Sequence, residues 1–118
     1  MAKLTIYQTN SKIEVKPMSV NQVWQGRRFK TQAYKQYEQD CGWFIKCPMI
    51  KGEVKVHYKF YIKHFSISDV DNFIKPIQDI LVKNGAIEDD RKIIKITAEK
   101  IKSENEYIEV ELSTAKTA

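Results

Sequence analysis

The feature that most constrains the fold is a change of hydrophobic period in the middle of the chain. Across residues 53–65, apolar residues alternate with polar and basic ones, and this period of two predicts a β-strand with one buried face. After Ser66, apolar residues recur three or four positions apart, which predicts an amphipathic helix. The stripe of this helix contains Phe73, Ile74, Ile77 and Leu81. A strand therefore passes into a helix within a short stretch, and polar residues occupy the connection.

This helix has recognisable limits at both ends. A proline in a helix interior costs about 3 kcal/mol, so Pro76 predicts that the helix begins near Asn72 and holds the proline in its first turns. Gly85 supplies the stop, because glycine accepts the left-handed backbone conformation that often ends a helix.

The N-terminal part of the chain predicts short strands and a loop. Residues 4–7 favour a strand, and Ile13 and Val15 alternate with charges as in a second strand. Asn10-Ser11 reads as the turn between them. Residues 24–30 show little periodicity and are predicted to form a loop.

The remaining segments predict a second helix and two more strands. Thr31 is a candidate N-cap for a helix with apolar residues on one face. These residues are Tyr34, Tyr37, Cys41, Phe44 and Ile45. Residues 93–96 suggest a buried strand, and residues 107–112 alternate as a closing strand. The expected fold class is α+β: a small mixed β-sheet with two helices packed on it, in one domain covering residues 1–118.

Composition adds a preference for polyanionic partners. The chain has 118 residues and a formal charge of +5, which favours binding to nucleic acid when it accompanies a suitable site. Cys41 and Cys47 match no zinc-binding spacing and are expected to be reduced thiols. The sequence shows no apolar signal segment and no run long enough to span a membrane, so we expect a cytoplasmic protein.

Two acidic clusters flank the helix that begins near Asn72. Asp69 and Asp71 precede it, and a second group at residues 88–90 follows its stop. In an extended segment, Asp69 and Asp71 project to the same side and can share one cation. A hairpin-like return through Gly85 could bring Asp90 or Asp89 beside them. Hard divalent cations prefer oxygen ligands, so the constellation predicts a Mg²⁺ site beside a phosphate.

Each acidic or basic residue also has a structural explanation. Asp69 or Asp71 could cap the helix, and the group at residues 88–90 could be a solvated turn. Lys75 stands four residues after Asp71 and before Asp79, so it could form a surface ion pair worth about 0.3–0.5 kcal/mol. Alternatively, Lys75 contacts the scissile phosphate.

The segment DVDNFIK at residues 69–75, followed by Asp79, Gly85 and Asp89-Asp90, resembles the core motif of the RusA family of Holliday junction resolvases. That family's pattern is D-x-D-N-x-x-K, then a helix, a glycine and a paired acidic group. The similarity runs without a gap over residues 69–90. Weaker similarity lies at residues 19–21, where the family often carries Pro-Ser-x-Asn, and Met18 stands where a proline is common.

The resemblance implies a RusA-like domain with endonuclease activity that requires Mg²⁺, for which Mn²⁺ is an expected substitute. It implies a homodimer that resolves four-way DNA junctions by paired symmetric nicks in recombination and repair. Asp69, Asp71 and Asp90 match the family's metal-binding carboxylates, and Lys75 matches its catalytic lysine; these four form the expected catalytic set. Asp89 aligns with the first acid of the later pair. Such genes frequently belong to bacteriophages or prophages, so a phage origin is compatible with the sequence.

DNA contacts are expected from Arg27, Arg28 and Lys30, which lie beside Trp24 and Phe29, because guanidinium and aromatic groups together suit splayed bases. The polar face of the strand at residues 53–65 adds basic residues that serve either solubility or phosphate contact, namely Lys55, Lys59 and Lys63. Two other functions stay open: a non-catalytic protein that binds branched DNA, and an unrelated metal-dependent nuclease that acts on flaps or RNA.

Overall fold

The computed structural model describes residues 8–25, 29–47 and 49–114, which form six strands and two α-helices. The elements are β1 (Gln8–Ile13), β2 (Trp24–Gln25), β3 (Phe29–Lys30), α1 (Gln32–Phe44), β4 (Val54–Ile62), α2 (Ile74–Lys83), β5 (Ile93–Lys102) and β6 (Tyr107–Thr114). The main sheet has the strand order β1-β6-β4-β5, and β2 pairs with β3 separately. In the main sheet β4 and β5 are parallel, whereas the other two pairings are antiparallel. This mixed sheet with two helices confirms the predicted α+β class.

The helix α2 forms the crossover between β4 and β5. Parallel neighbours need a connection of this kind, because a tight hairpin can join only antiparallel strands. The crossover sends the chain from the end of β4 through residues 63–73 into α2, and then back to the start of β5. The two acidic clusters stand at either end of α2, so the crossover sets the separation between them.

One face of the sheet carries the core. The alternating side chains of β4 from Val54 to Ile62 are buried on this face, together with apolar residues of α1, α2 and β6. Tyr58 of β4 donates a hydrogen bond of 3.0 Å to Oε1 of Gln78 of α2, and this bond joins the sheet to the helix inside the core. The rings of Phe60 and Phe73 lie 5.3 Å apart and pack the end of β4 against the segment before α2.

Local signals predicted several element boundaries correctly. Thr31 caps α1, since its side chain accepts a hydrogen bond from the backbone N–H of Tyr34. Pro76 is the third residue of α2, where the missing N–H has no intrahelical partner to lose. Gly85 follows α2 with a φ of 76°, in the left-handed region that favours glycine.

Other predictions at the strands were wrong. Asn10 and Ser11 form no turn; they lie inside β1, opposite Glu111 and Val110 of β6. The strand predicted at residues 93–96 exists, but it is not buried: Ile94 is 52% exposed and Ile96 is 44% exposed. Among the described strands β5 pairs only with β4, and it therefore lies at an edge of the sheet.

The remaining N-terminal predictions meet the limits of the described chain. The strand predicted at residues 4–7 lies outside the described residues. Within the predicted loop at residues 24–30, β2 and β3 form a short antiparallel pair, and residues 26–28 are not described. No helix in the described part of the chain has the length and apolar character needed to cross a bilayer.

Candidate active site

Two consecutive 3₁₀ turns lead from the end of β4 into α2. The first covers Phe65–Ile67 and the second covers Val70–Phe73. Asp69 stands just before the second turn and Asp71 lies within it. Asp69 and Asp71 therefore do not share one extended segment, as was expected: Asp69 has extended backbone angles, whereas Asp71 lies in a 3₁₀ turn, where the backbone turns by about 120° per residue.

The carboxylate of Asp69 is not used as a helix cap. Asp69 occupies the N-cap position of the second turn with extended backbone angles, yet its side chain makes no capping hydrogen bond. Its backbone carbonyl instead accepts from the N–H of Asn72 at 3.1 Å. Asp69 and Asp71 are both exposed, so each carboxylate faces solvent and is accessible to a cation or a substrate.

Lys75 links the two acidic clusters. It lies in the first turn of α2, and its Nζ is 2.7 Å from Oδ1 of Asp79 and 3.4 Å from Oδ2 of Asp90. The hydrogen bond with Asp79 makes the largest contribution to raising the pKa of Lys75, and the neighbouring Asp90 raises it further. All three side chains are about half exposed, so the pairs contribute only about 0–1 kcal/mol each to stability.

The neighbours of Asp90 have separate structural partners. Asp89 caps the 3₁₀ turn at Asp90–Lys92: its carboxylate accepts hydrogen bonds from the backbone N–H and the guanidinium of Arg91. The guanidinium of Arg91 makes the largest contribution to lowering the pKa of Asp89 to about 2. Glu88 accepts a hydrogen bond of 2.9 Å from the backbone N–H of Gly52. Of the three acids, Asp90 is the one that contacts Lys75.

The fold brings together some of the expected residues and leaves others apart. Lys75 meets Asp90 after the chain returns through Gly85, whereas the return was expected to bring Asp90 or Asp89 beside Asp69 and Asp71. Among the described residues, however, no group of three or more His, Cys, Asp or Glu side chains is placed so that it could hold a metal ion. The three carboxylates Asp69, Asp71 and Asp90 suit Mg²⁺ as hard oxygen donors. A single copy of the chain does not assemble them into a closed ligand set.

A groove of about 370 Å³ runs beside Asp69. One wall comes from the segment after β4 and the other from residues 16–22. The second wall contains a 3₁₀ turn, Val20–Gln22, with a capping box: the side chain of Ser19 accepts from the N–H of Asn21, and Oε1 of Gln22 accepts from the N–H of Ser19. The segment with the weaker upstream similarity therefore lies across the groove from Asp69.

Sequence reasoning did not single out several residues of this groove, among them His64 and Ile67. Neither of these two belongs to a recognisable motif. The available signal was their position between a clear strand and Asp69, because a short connection must stay close to the residues that it joins.

Of the three residues expected to bind DNA, the structure describes Lys30. Arg27 and Arg28 lie outside the described residues. Lys30 is described, and its Nζ is already engaged: it lies 3.4 Å from Oε2 of Glu38 and 5.1 Å from the ring centroid of Tyr34.

The exposed face of the sheet carries charges of both signs. In the sheet register Lys59 of β4 lies opposite Glu109 of β6 and His57 lies opposite Glu111, whereas Lys55 lies opposite Ser113. A face with interleaved carboxylates is less suited to a phosphate backbone than the uniform basic strip that the sequence of β4 alone indicated.

A family model described as endodeoxyribonuclease RusA matches residues 11–113 of the chain. The match includes β4, α2, β5 and both acidic clusters. Comparison with curated proteins found no match. RusA proteins are metal-dependent nucleases that act on branched DNA, and the fold, the Lys75–Asp90 contact and the exposed carboxylates agree with that activity. The chain belongs to the RusA family of endodeoxyribonucleases, which resolve Holliday junctions.

Proposed function

We propose that this chain is a single-domain, Mg²⁺-dependent resolvase over residues 1–118 that cuts four-way junctions by paired symmetric nicks. The observation that carries the proposal is the contact between Lys75 and Asp90, because it joins the lysine of the D-x-D-N-x-x-K segment to the later acidic pair. Two parts of the motif that are 15 residues apart in sequence thus share one location.

We assign the metal-binding role to Asp69, Asp71 and Asp90. When bound, Mg²⁺ supplies Lewis acidity and lowers the pKa of a coordinated water, and Mn²⁺ offers the same chemistry to the same oxygen donors. In support, the carboxylate of Asp69 has no capping role and that of Asp71 is exposed. Asp89 and Glu88 are left out of the set, because each accepts hydrogen bonds from a neighbouring segment.

Lys75 is assigned to the scissile phosphate. Its raised pKa keeps the ammonium group charged, and a cation at this point stabilises the negative charge that develops on the phosphate oxygens in the transition state. Water attacks the phosphorus in line, the bond to the 3′ oxygen breaks, and the products carry 5′-phosphate and 3′-hydroxyl ends. Asp79 contacts the same ammonium group at 2.7 Å and is the nearer of its two acidic partners.

We further propose that the active form is a homodimer. A four-way junction offers two equivalent strands, and a protein with two-fold symmetry presents two equivalent sites to them. One observation supports this: the edge strand β5 exposes Ile94 and Ile96, which offer an apolar surface to a second copy. Sedimentation of the free protein tests the proposal, which predicts a mass of two chains.

DNA contacts outside the site are assigned to Arg27, Arg28 and Lys30. These residues follow the groove wall in sequence, since Arg27 comes five positions after the end of the segment at residues 16–22. We also propose that the protein acts in the cytoplasm of a bacterial cell and is of phage or prophage origin, and the family's junction substrate supports action where DNA recombines.

The test is incubation of the purified protein with an end-labelled synthetic junction, with and without Mg²⁺. Paired nicks at symmetric positions that require Mg²⁺ are the expected result. Binding without cutting under all metal conditions would favour a non-catalytic junction-binding protein. Faster cutting of flaps or linear RNA than of the junction would favour a different nuclease activity.

A further inference from the structure

Ile67 is the most exposed large apolar side chain among the described residues. It is 81% exposed, and Phe65, in the same 3₁₀ turn, is 37% exposed. The turn connects β4 to Asp69. An exposed apolar pair beside a polar site commonly marks a contact surface, because covering apolar side chains with a partner removes them from water and lowers the free energy.

The turn that presents Ile67 is held firmly at both ends. Nζ of Lys100 on β5 donates hydrogen bonds to the backbone carbonyls of Phe65 at 2.5 Å and Ser68 at 2.8 Å. The same ammonium group lies 4.4 Å from the ring centroid of Phe65. The hydroxyl of Ser68 donates to the carbonyl of His64 at 2.7 Å. The backbone on either side of Ile67 is therefore fixed, while its side chain projects into solvent.

Ile67 also lies at the candidate active site. Ile67, Ser68 and Asp69 line the same groove, and two residues of extended chain separate Ile67 from Asp69 by about 7 Å at most. A phosphate facing Asp69 would thus have its flanking bases within reach of Ile67. The cations nearest the turn suit a polyanion more than a second apolar protein surface: Lys16 lines the groove and Nζ of Lys100 lies against the turn, with Asp69 and Glu106 also in the groove lining.

We propose that Ile67, supported by Phe65, is an apolar wedge that enters the base stack at the branch point of the junction. Apolar side chains open base steps in this way in other DNA-bending proteins. A β-branched side chain suits the role, because it has little rotamer freedom to lose. The branch point suits it too, since bases there have fewer stacking partners and cost less to separate. The wedge rests on the proposed function and adds to it a residue that distorts the substrate.

The test is a four-way junction with 2-aminopurine at the branch point, whose fluorescence rises when the base unstacks. Binding is measured in EDTA so that the junction stays uncut. We expect the wild-type protein to raise the fluorescence severalfold and Ile67→Ser to lose most of that increase. Ile67→Leu should keep it, because the apolar volume remains. Trp43→Ser is the control for loss of an exposed apolar side chain elsewhere, since Trp43 is 70% exposed on α1 and does not line the groove.

The outcomes separate the wedge from the proposed function. If the wild-type protein cuts the junction but Ile67→Ser gives the full fluorescence increase, the wedge is overturned and the nuclease assignment stands. If Ile67→Ser changes the sedimenting mass of the protein, a second copy covers this surface and the wedge is again overturned. If the wild-type protein neither binds nor cuts junctions, the proposed function fails and the wedge fails with it.

Discussion

Nζ of Lys75 lies 3.4 Å from Oδ2 of Asp90, so the first turn of α2 touches the 3₁₀ turn that precedes β5. Both residues are about half exposed, and a surface pair of this kind adds little to stability. The contact therefore matters for where it places the two groups: the ammonium group of Lys75 lies beside the carboxylate of Asp90, which does not cap a helix or turn. In the free protein, Lys75 neutralises Asp90 at the place where metal and phosphate are proposed to bind.

Replacement of Lys75 separates a catalytic role from a surface ion pair. Lys75→Met should lower the cleavage rate by about 10²–10³-fold, the usual loss when one group that stabilises transition-state charge is removed. Asp79→Asn removes the stronger partner of Lys75 but leaves its charge, so cleavage should stay close to wild type. Single-turnover cleavage of a labelled junction measures both. Equal losses in the two variants would mean that the ion pair, and not the ammonium group, is what cleavage needs.

Asp71→Asn should remove cleavage while junction binding survives or strengthens. The amide has the size of the carboxylate but no charge, so it binds Mg²⁺ poorly and repels phosphate less. Gel-shift titration in EDTA measures binding, and the labelled junction with Mg²⁺ measures cutting. Cleavage at the wild-type rate would remove Asp71 from the metal-binding set.

Asp89 and Asp90 form a matched pair for testing the second acidic cluster. Asp90→Asn should reduce cleavage by at least about 10²-fold, because the proposed site loses a charged ligand. Asp89→Asn should cut normally, because an asparagine can still cap the turn and the carboxylate of Asp89 is committed to Arg91. Cleavage assays on the two variants at the same Mg²⁺ concentration decide the point. The reverse ranking would assign the metal to Asp89.

The sequence predicted correctly those elements that are determined by interactions between residues close together in the chain. The alternation across β4, the cap at Thr31 and the early proline at Pro76 each act over a few residues, and the structure has all three. The burial of β5 was predicted wrongly, because an apolar run does not reveal whether its strand lies at the centre or the edge of a sheet. Strand order depends on pairings between distant residues, which no local pattern carries.

The same distinction applies to the candidate site. The approach of Asp90 to Lys75 follows from a short return through Gly85, which the sequence contains. The 3₁₀ turn at Asp71 was missed, because the segment was taken as extended. The hydrogen bonds that fix the backbone around Ile67 were missed too, because they join Lys100 of β5 to the distant turn at Phe65–Ile67.

The hydrogen bond between Tyr58 and Gln78 is expected to stabilise the core, because it offsets the cost of burying the amide of Gln78. Apart from tyrosines and a cysteine, Gln78 is the one buried polar or charged side chain among the described residues. Tyr58→Phe removes the hydroxyl that donates to Oε1 of Gln78 and leaves this buried oxygen unpaired. The free energy of unfolding should therefore fall by about 1–3 kcal/mol. Adding Gln78→Met should recover part of the loss, since neither partner is then polar. Urea denaturation of the two variants measures this, and a double variant less stable than Tyr58→Phe would contradict it.

Cys41 and Cys47 should react with thiol reagents at very different rates. Burial raises the pKa of Cys41 from 9.0 to about 12, so its thiolate fraction at pH 8 falls about 10³-fold, and the side chain is fully covered. Burial also raises the pKa of Cys47, but this residue is only partly covered. Iodoacetamide at pH 8, followed by mass spectrometry, should therefore modify Cys47 first and Cys41 only in denaturant. The Cys47→Ser variant is the control and should show no fast phase. A native disulfide between the two residues, or rapid modification of Cys41, would contradict the reduced, buried state that the fold indicates.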